Sequence, residues 1–140
     1  MAKTNWTEKE QVNYVKLNAI GTELTAATAN IAGLRVPRIG TVASTATPSI
    51  DAALYDQYNI TALAAAITSV TVTNGIDGRQ ITIRIKDNGT ARAISWGSSF
   101  VSGPATLITT TVISKTHLNR FVYDAAAAKW VCIHSHAAGY

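Results

Sequence analysis

At 140 residues the chain has room for one compact domain with an appendage and not for two full domains. Charged residues are only 14%, and Thr, Ser, Asn and Gly take their place, a balance that suits β-structure with a hydroxyl-wetted surface. The net charge of +4 comes from cations spread between Lys3 and Lys129, the closest grouping being the pair Arg35 and Arg38, which argues against a clustered phosphate-binding surface; no nucleic-acid partner is expected.

From the N-terminus, MAKTNWTEKE lacks the apolar core of a secretion signal, and no stretch reaches the ~18 apolar residues of a membrane span. Synthesis and folding in a cytoplasm are expected, with no membrane partner. Residues 7–32 read as helix. Thr7 and Glu10 have capping-box spacing, and Glu8 and Glu10 suit the positive end of the helix dipole. Leu17, Ile20, Leu24, Ala27 and Ile31 then follow steps of three and four, a narrow apolar seam. Gly21 weakens this helix by about 1 kcal/mol relative to alanine. Either the seam packs on the chain's own β-domain or it meets copies of itself or a partner. The second reading is preferred, because a connector follows. That connector, residues 33–49, is broken by Gly33, Pro37, Gly40 and Pro48 and is expected to be extended.

From residue 50 onward the pattern is β. Ile81, Ile83 and Ile85 alternate with Gln80, Thr82, Arg84 and Lys86 as a half-buried strand does. Val70 and Val72 alternate upstream, and the turn signals Asn74-Gly75 and Asp77-Gly78 predict a hairpin between the two. Ile60–Ile67 is ambiguous between strand and short helix. Asp87-Asn88-Gly89 ends a strand as turn chemistry rather than as a calcium loop, since further acidic ligands are absent. Residues 118–123 and 130–135 flank a short connection and predict a second hairpin. The fold class expected is mainly β: a C-terminal antiparallel β-sandwich or small barrel over residues 50–140, with an N-terminal helical arm (1–32) and an extended linker (33–49).

Several of these segments also carry a resemblance. Thr47-Pro48, Ile60-Thr61-Ala62-Leu63, Arg84–Ala91 (RIKDNGTA), Ile94–Gly97 (ISWG), Thr109–Thr111 with Lys115, and Tyr123 followed by Lys129-Trp130 resemble a domain of minor structural proteins of tailed-phage virions. The arm, with Trp6 and Leu17-Asn18, is similar to the arms of such proteins. The likeness covers about two thirds of the chain and departs at the end, HSHAAGY, where paired histidines are not part of the pattern. It implies a structural or adhesive role on a virion, as a head fibre, decoration protein or short tail fibre. It also implies no cofactor, and a homotrimer in contact with capsid or tail proteins. A host surface glycan is the alternative partner. Leu17, Ile20 and Leu24 are the residues expected to anchor or oligomerise the arm.

No catalytic constellation stands out, and the chain is expected not to be an enzyme. His117, His134 and His136 are the only imidazole bases, no serine sits in a nucleophile elbow, and the eight acidic residues are scattered. His134 and His136, two apart on a strand, would share a face. Around a threefold axis they would supply six imidazoles for a borderline metal; otherwise they are a solvated pair, and no metal is assigned. Trp96, Phe121, Tyr123 and Trp130 are expected in a core or subunit interface, the alternative being a sugar-stacking platform. Cys132 is the single cysteine, which excludes an intrachain disulfide and a cysteine-based zinc site; between Val131 and Ile133 it reads as an inert packing group.

Overall fold

A computed structural model describes residues 18–24 and 36–140. The chain divides into two compact units, Met1–Pro37 and Arg38–Tyr140. In the first, residues 18–24 form a helix, α1. Thr22 Oγ1 donates back to the Asn18 carbonyl at 3.0 Å, the contact a threonine makes inside a helix. The Thr7–Glu10 cap and Leu17, Ala27 and Ile31 of the seam lie outside the described residues.

The second unit is mainly β, as its composition and alternation imply. Strands β1 (Ile39–Val42), β2 (Ser49–Asp51), β3 (Gln57–Leu63), β4 (Thr71–Thr73) and β5 (Gln80–Asp87) alternate between two layers. β1, β3 and β5 lie side by side and parallel in the larger sheet, while β2 and β4 pair in parallel in the smaller one. The chain therefore winds rather than reverses. β1 with β2 makes one turn, β3 with β4 the next, and β5 begins a third that returns through residues 94–96. There Ile94 bridges Ile67 in parallel and the Val70 amide donates to the Trp96 carbonyl at 3.3 Å. Equivalent positions are 22 residues apart at Ser49 and Thr71 and 25 apart at Gln57 and Thr82, so the winding leaves no fixed period in the sequence.

β6 (Phe100–Ser102), β7 (Thr116–Asp124) and β8 (Lys129–Ser135) complete the larger sheet in the order β1-β3-β5-β7-β8-β6. β7 is antiparallel to β5 and β8, and β6 runs parallel to β8. The β7–β8 pair is the hairpin expected from residues 118–135. Its turn is held by the Ala127 amide on Asp124 Oδ1 at 3.1 Å.

The other expected hairpin is corrected. β4 does not pair with β5; it pairs with β2, and β5 lies between β3 and β7. Asn74 (φ 57°) and Gly78 (φ 75°) turn the chain from one layer to the other instead of reversing it within a sheet. This places Ile50 and Val70 in a second layer, where they join the core formed with Ile81, Ile83 and Ile85. The pairing is thus mixed rather than antiparallel throughout, and the larger sheet is open, with β1 and β6 at its edges. Within the stretch expected as a linker, residues 39–42 form β1 and residues 46 and 48 accept amides from Thr68 and Thr71. The ambiguous Ile60–Ile67 segment is strand as far as Leu63, and Ile67 then makes its own bridge to Ile94.

One face of the larger sheet is sealed. Ile60, Ile81, Ile83, Ile85, Phe121 and Cys132 are essentially inaccessible, each burial of a large aliphatic group contributing about 1.5–3 kcal/mol. At the β7–β8 end the core is aromatic. Trp96, Phe100 and Phe121 have ring centroids 4.9–5.3 Å apart, and Trp96 Nε1 donates to the Ile108 carbonyl at 2.7 Å. Among the described residues Arg92 Nε and His136 Nδ1 are buried without a hydrogen-bond partner, whereas the buried carboxylate of Asp87 is well satisfied. Asp87 accepts from Thr111 Oγ1 at 2.7 Å and from the amides of Gly89 and Ser114 at 2.8 and 2.9 Å. Burial pushes its carboxyl up, yet these bonds together hold it below the ordinary value.

Candidate functional site

Three groups of residues invite a functional reading. The first is on α1. Ile20 and Leu24, one helical turn apart and so on the same side, are 56% and 67% exposed; Leu17 lies outside the described residues.

The second group is the histidines, which the fold separates. His117 is fully buried. Its Nε2 accepts the Val112 amide at 2.8 Å, which leaves the proton on Nδ1, 3.0 Å from the His136 carbonyl. It is a structural tie between the end of β8 and the 112–114 loop, with neither nitrogen free for base chemistry. His136 lies just past β8; its amide donates to the Leu118 carbonyl and its ring stacks edgewise on Tyr140 at 5.8 Å. The final residues close this corner, where Tyr140 and Thr116 exchange both backbone hydrogen bonds. His134 is exposed and stands opposite Arg120. Among the described residues of one chain, no group of three or more His, Cys, Asp or Glu side chains is placed to hold a metal.

The aromatics are settled by burial. Trp96, Phe121 and Trp130 are at most 4% exposed, and Tyr123 packs on Trp130 with centroids 5.0 Å apart. Trp96, Phe121 and Trp130 are core groups and offer no platform for a sugar, while Tyr123 is half-buried against them. The segments set apart in the sequence by that resemblance contribute both core and exposed positions. Ile60, Leu63, Ile94, Trp96 and Trp130 are core, and Thr111 and Asp87 bond each other.

The third group was not legible beforehand. Alternation along β5 sends Thr82, Arg84 and Lys86 to the side opposite the core, and the pairing aligns other strands with them. Arg84 stands between Asn59 of β3 and Leu118 of β7; Lys86 is opposite Thr116, and Thr82 opposite Arg120. Arg120 in turn faces His134 on β8. Cations distant in sequence thus meet on one sheet face. Arg84 and Arg120 are exposed and engage no hydrogen-bond or carboxylate partner among the described residues. Lys86 Nζ donates to the Ser114 carbonyl at 2.6 Å. The nearby carboxylates are spent elsewhere: Asp87 points into the core, and Asp56 is bound to Arg38 at 2.8 Å. Arg84 and Lys86 line a groove of about 330 Å³ with Asn59, Ile60, Thr61 and Thr116. The signal that would have found this face is the register of β7 on β5, which the sequence does not carry. Comparison with protein-family models, curated proteins and solved structures finds no match to this chain.

Proposed function

We propose that the chain is a non-enzymatic structural protein of a tailed-phage virion, a head fibre, decoration protein or short fibre, fixed to the particle by its N-terminal arm and acting as a homotrimer. The observation that carries the reading is the exposed apolar side of α1, Ile20 and Leu24, in a unit distinct from the wound β-unit. A short helix is marginal alone in water and needs an apolar partner to persist. Large aliphatic side chains each contribute about 1.5–3 kcal/mol when such a partner covers them. The resemblance to virion proteins supplies the class of partner, capsid or tail, and the threefold symmetry.

The test combines two variants. Leu17, Ile20 and Leu24 are changed together to serine in one, and residues 1–37 are removed in the other. Both should stay soluble with an unchanged β-type far-UV spectrum, and both should fail to bind particles assembled without the protein. Binding that survives the triple substitution would place the anchor elsewhere. Light scattering that gives a stable monomer at micromolar concentration would remove the trimer.

A further inference from the structure

We propose that the solvent face of the larger sheet is a binding site for a carboxylated glycan, with Arg84 and Arg120 as its acid-binding residues. The inference rests on this sheet face alone and is independent of the arm and of the particle to which the arm attaches.

The argument begins with charge. Arg84, Lys86 and Arg120 stand on one face and no acidic side chain on β3, β5 or β7 shares their part of it. Two residues along a strand span about 7 Å and neighbouring strands are about 4.8 Å apart, so Arg84 lies roughly 8 Å from Arg120 and Lys86 roughly 14 Å from it, together the span of a short oligosaccharide. Lys86 is already turned toward the Ser114 carbonyl, whereas both arginines are without a partner among the described residues. A guanidinium presents paired N–H donors that match a carboxylate edge to edge, which a lysine does not. Beside Arg84 the groove of about 330 Å³ has the size of a small-ligand pocket. Its walls are hydroxyl and amide groups, Asn59, Thr61 and Thr116, which can trade hydrogen bonds with ring hydroxyls.

Nucleic acid is the competing polyanion, and the face suits it less. Binding of single strands relies on aromatic side chains for base stacking; Trp96, Phe100, Phe121 and Trp130 are in the core, and no aromatic ring lines the groove. Phosphate-tracking surfaces also make roughly 6–10 backbone contacts, more than three cations can supply.

The experiment is calorimetric titration of the full chain at low salt with four probes: an oligogalacturonate, an oligosialate, a neutral dextran of equal length and an oligothymidylate. At least one carboxylated probe should bind, the dextran should not, and the oligothymidylate should bind at least tenfold more weakly than the better acid glycan. Arg84→Gln and Arg120→Gln should each weaken that binding tenfold or more. Lys115→Gln, which removes an exposed cation outside the strands, should leave it within twofold. Both arginines are exposed and make no hydrogen bond among the described residues, so the far-UV spectrum and unfolding midpoint should not move. Failure of both carboxylated probes overturns the proposal. So does equal loss in all three variants, or tighter binding of the oligothymidylate.

Discussion

Asp87→Ala removes a carboxylate that is 1% exposed and joins the end of β5 to two loops. Three donors lose their acceptor: Thr111 Oγ1 and the amides of Gly89 and Ser114. Hydrogen bonds to a charged group are worth about 1.5–3 kcal/mol each, and a buried donor left alone costs a similar amount. Thr111 is buried and would bear that cost in full, while Gly89 and Ser114 are exposed and their amides can return to water. Counting the first bond whole and the other two at half gives a loss of roughly 3–6 kcal/mol, a large part of the 5–15 kcal/mol typical of a domain. In urea this corresponds to a midpoint lower by about 1.5–4 M for an m-value near 1.5–2 kcal/mol/M. Asp87→Asn keeps Oδ1 for the two amides but gives up the Thr111 bond to Oδ2, so it should lose about half as much. The carboxyl is held below its ordinary value in the fold, so its stabilisation is present above the usual carboxylate range and disappears as acid protonates it. The gap between wild type and Asp87→Ala should therefore close as pH falls below that range. An alanine variant within about 1 kcal/mol of wild type at neutral pH would show that the loops hold themselves and the network is incidental.

Three further outcomes follow from the same coordinates. Arg38 holds the Asp56 carboxyl down to about 2, so the pair's contribution is intact above the free value of 3.8 and is lost as pH falls through about 2; because the side chains are 40% and 44% exposed, Asp56→Asn should move the neutral-pH urea midpoint far less than Asp87→Ala does. Gly75→Ala would set a methyl group 2.8 Å from the Tyr123 ring, and a loss of about 1–3 kcal/mol is expected in thermal unfolding, with the ring's near-UV signal altered. Burial pushes the Cys132 thiol up and encloses it, so a disulfide reagent should label it orders of magnitude more slowly in the native protein than in denaturant, and fast native labelling would contradict the core placement.

Strand identity was legible where alternation is strong. The Ile81–Ile85 pattern and the two segments around Asp124–Lys129 gave β5 and the β7–β8 hairpin directly. Partner choice was not legible. Asn74-Gly75 and Asp77-Gly78 look the same whether the chain doubles back in a sheet or turns the corner of a winding, and only long-range packing of Ile50 and Val70 decides between them. β1 was hidden for a related reason. IGTV is short, carries a glycine that the Tyr58 ring covers, and becomes a strand through pairing with β3 rather than through propensity. Arg84 and Lys86 were visible as the polar half of β5, but Arg120 and His134 join them only through register.

The winding also governs how a body of this kind can change length in evolution. A hairpin sheet grows only by adding a reversing pair, whereas a wound chain accepts one more circuit at a time. The circuits here use 18, 22 and 25 residues at Ile39–Gln57, Ser49–Thr71 and Gln57–Thr82, and each advances the stack by one strand spacing, about 4.8 Å. Duplicating residues 57–79 would insert a β3–β4 circuit whose edges match those already stacked above and below it. The aromatic β7–β8 closure would be carried along unchanged, so reach and closure are set by separate stretches of sequence and can vary independently.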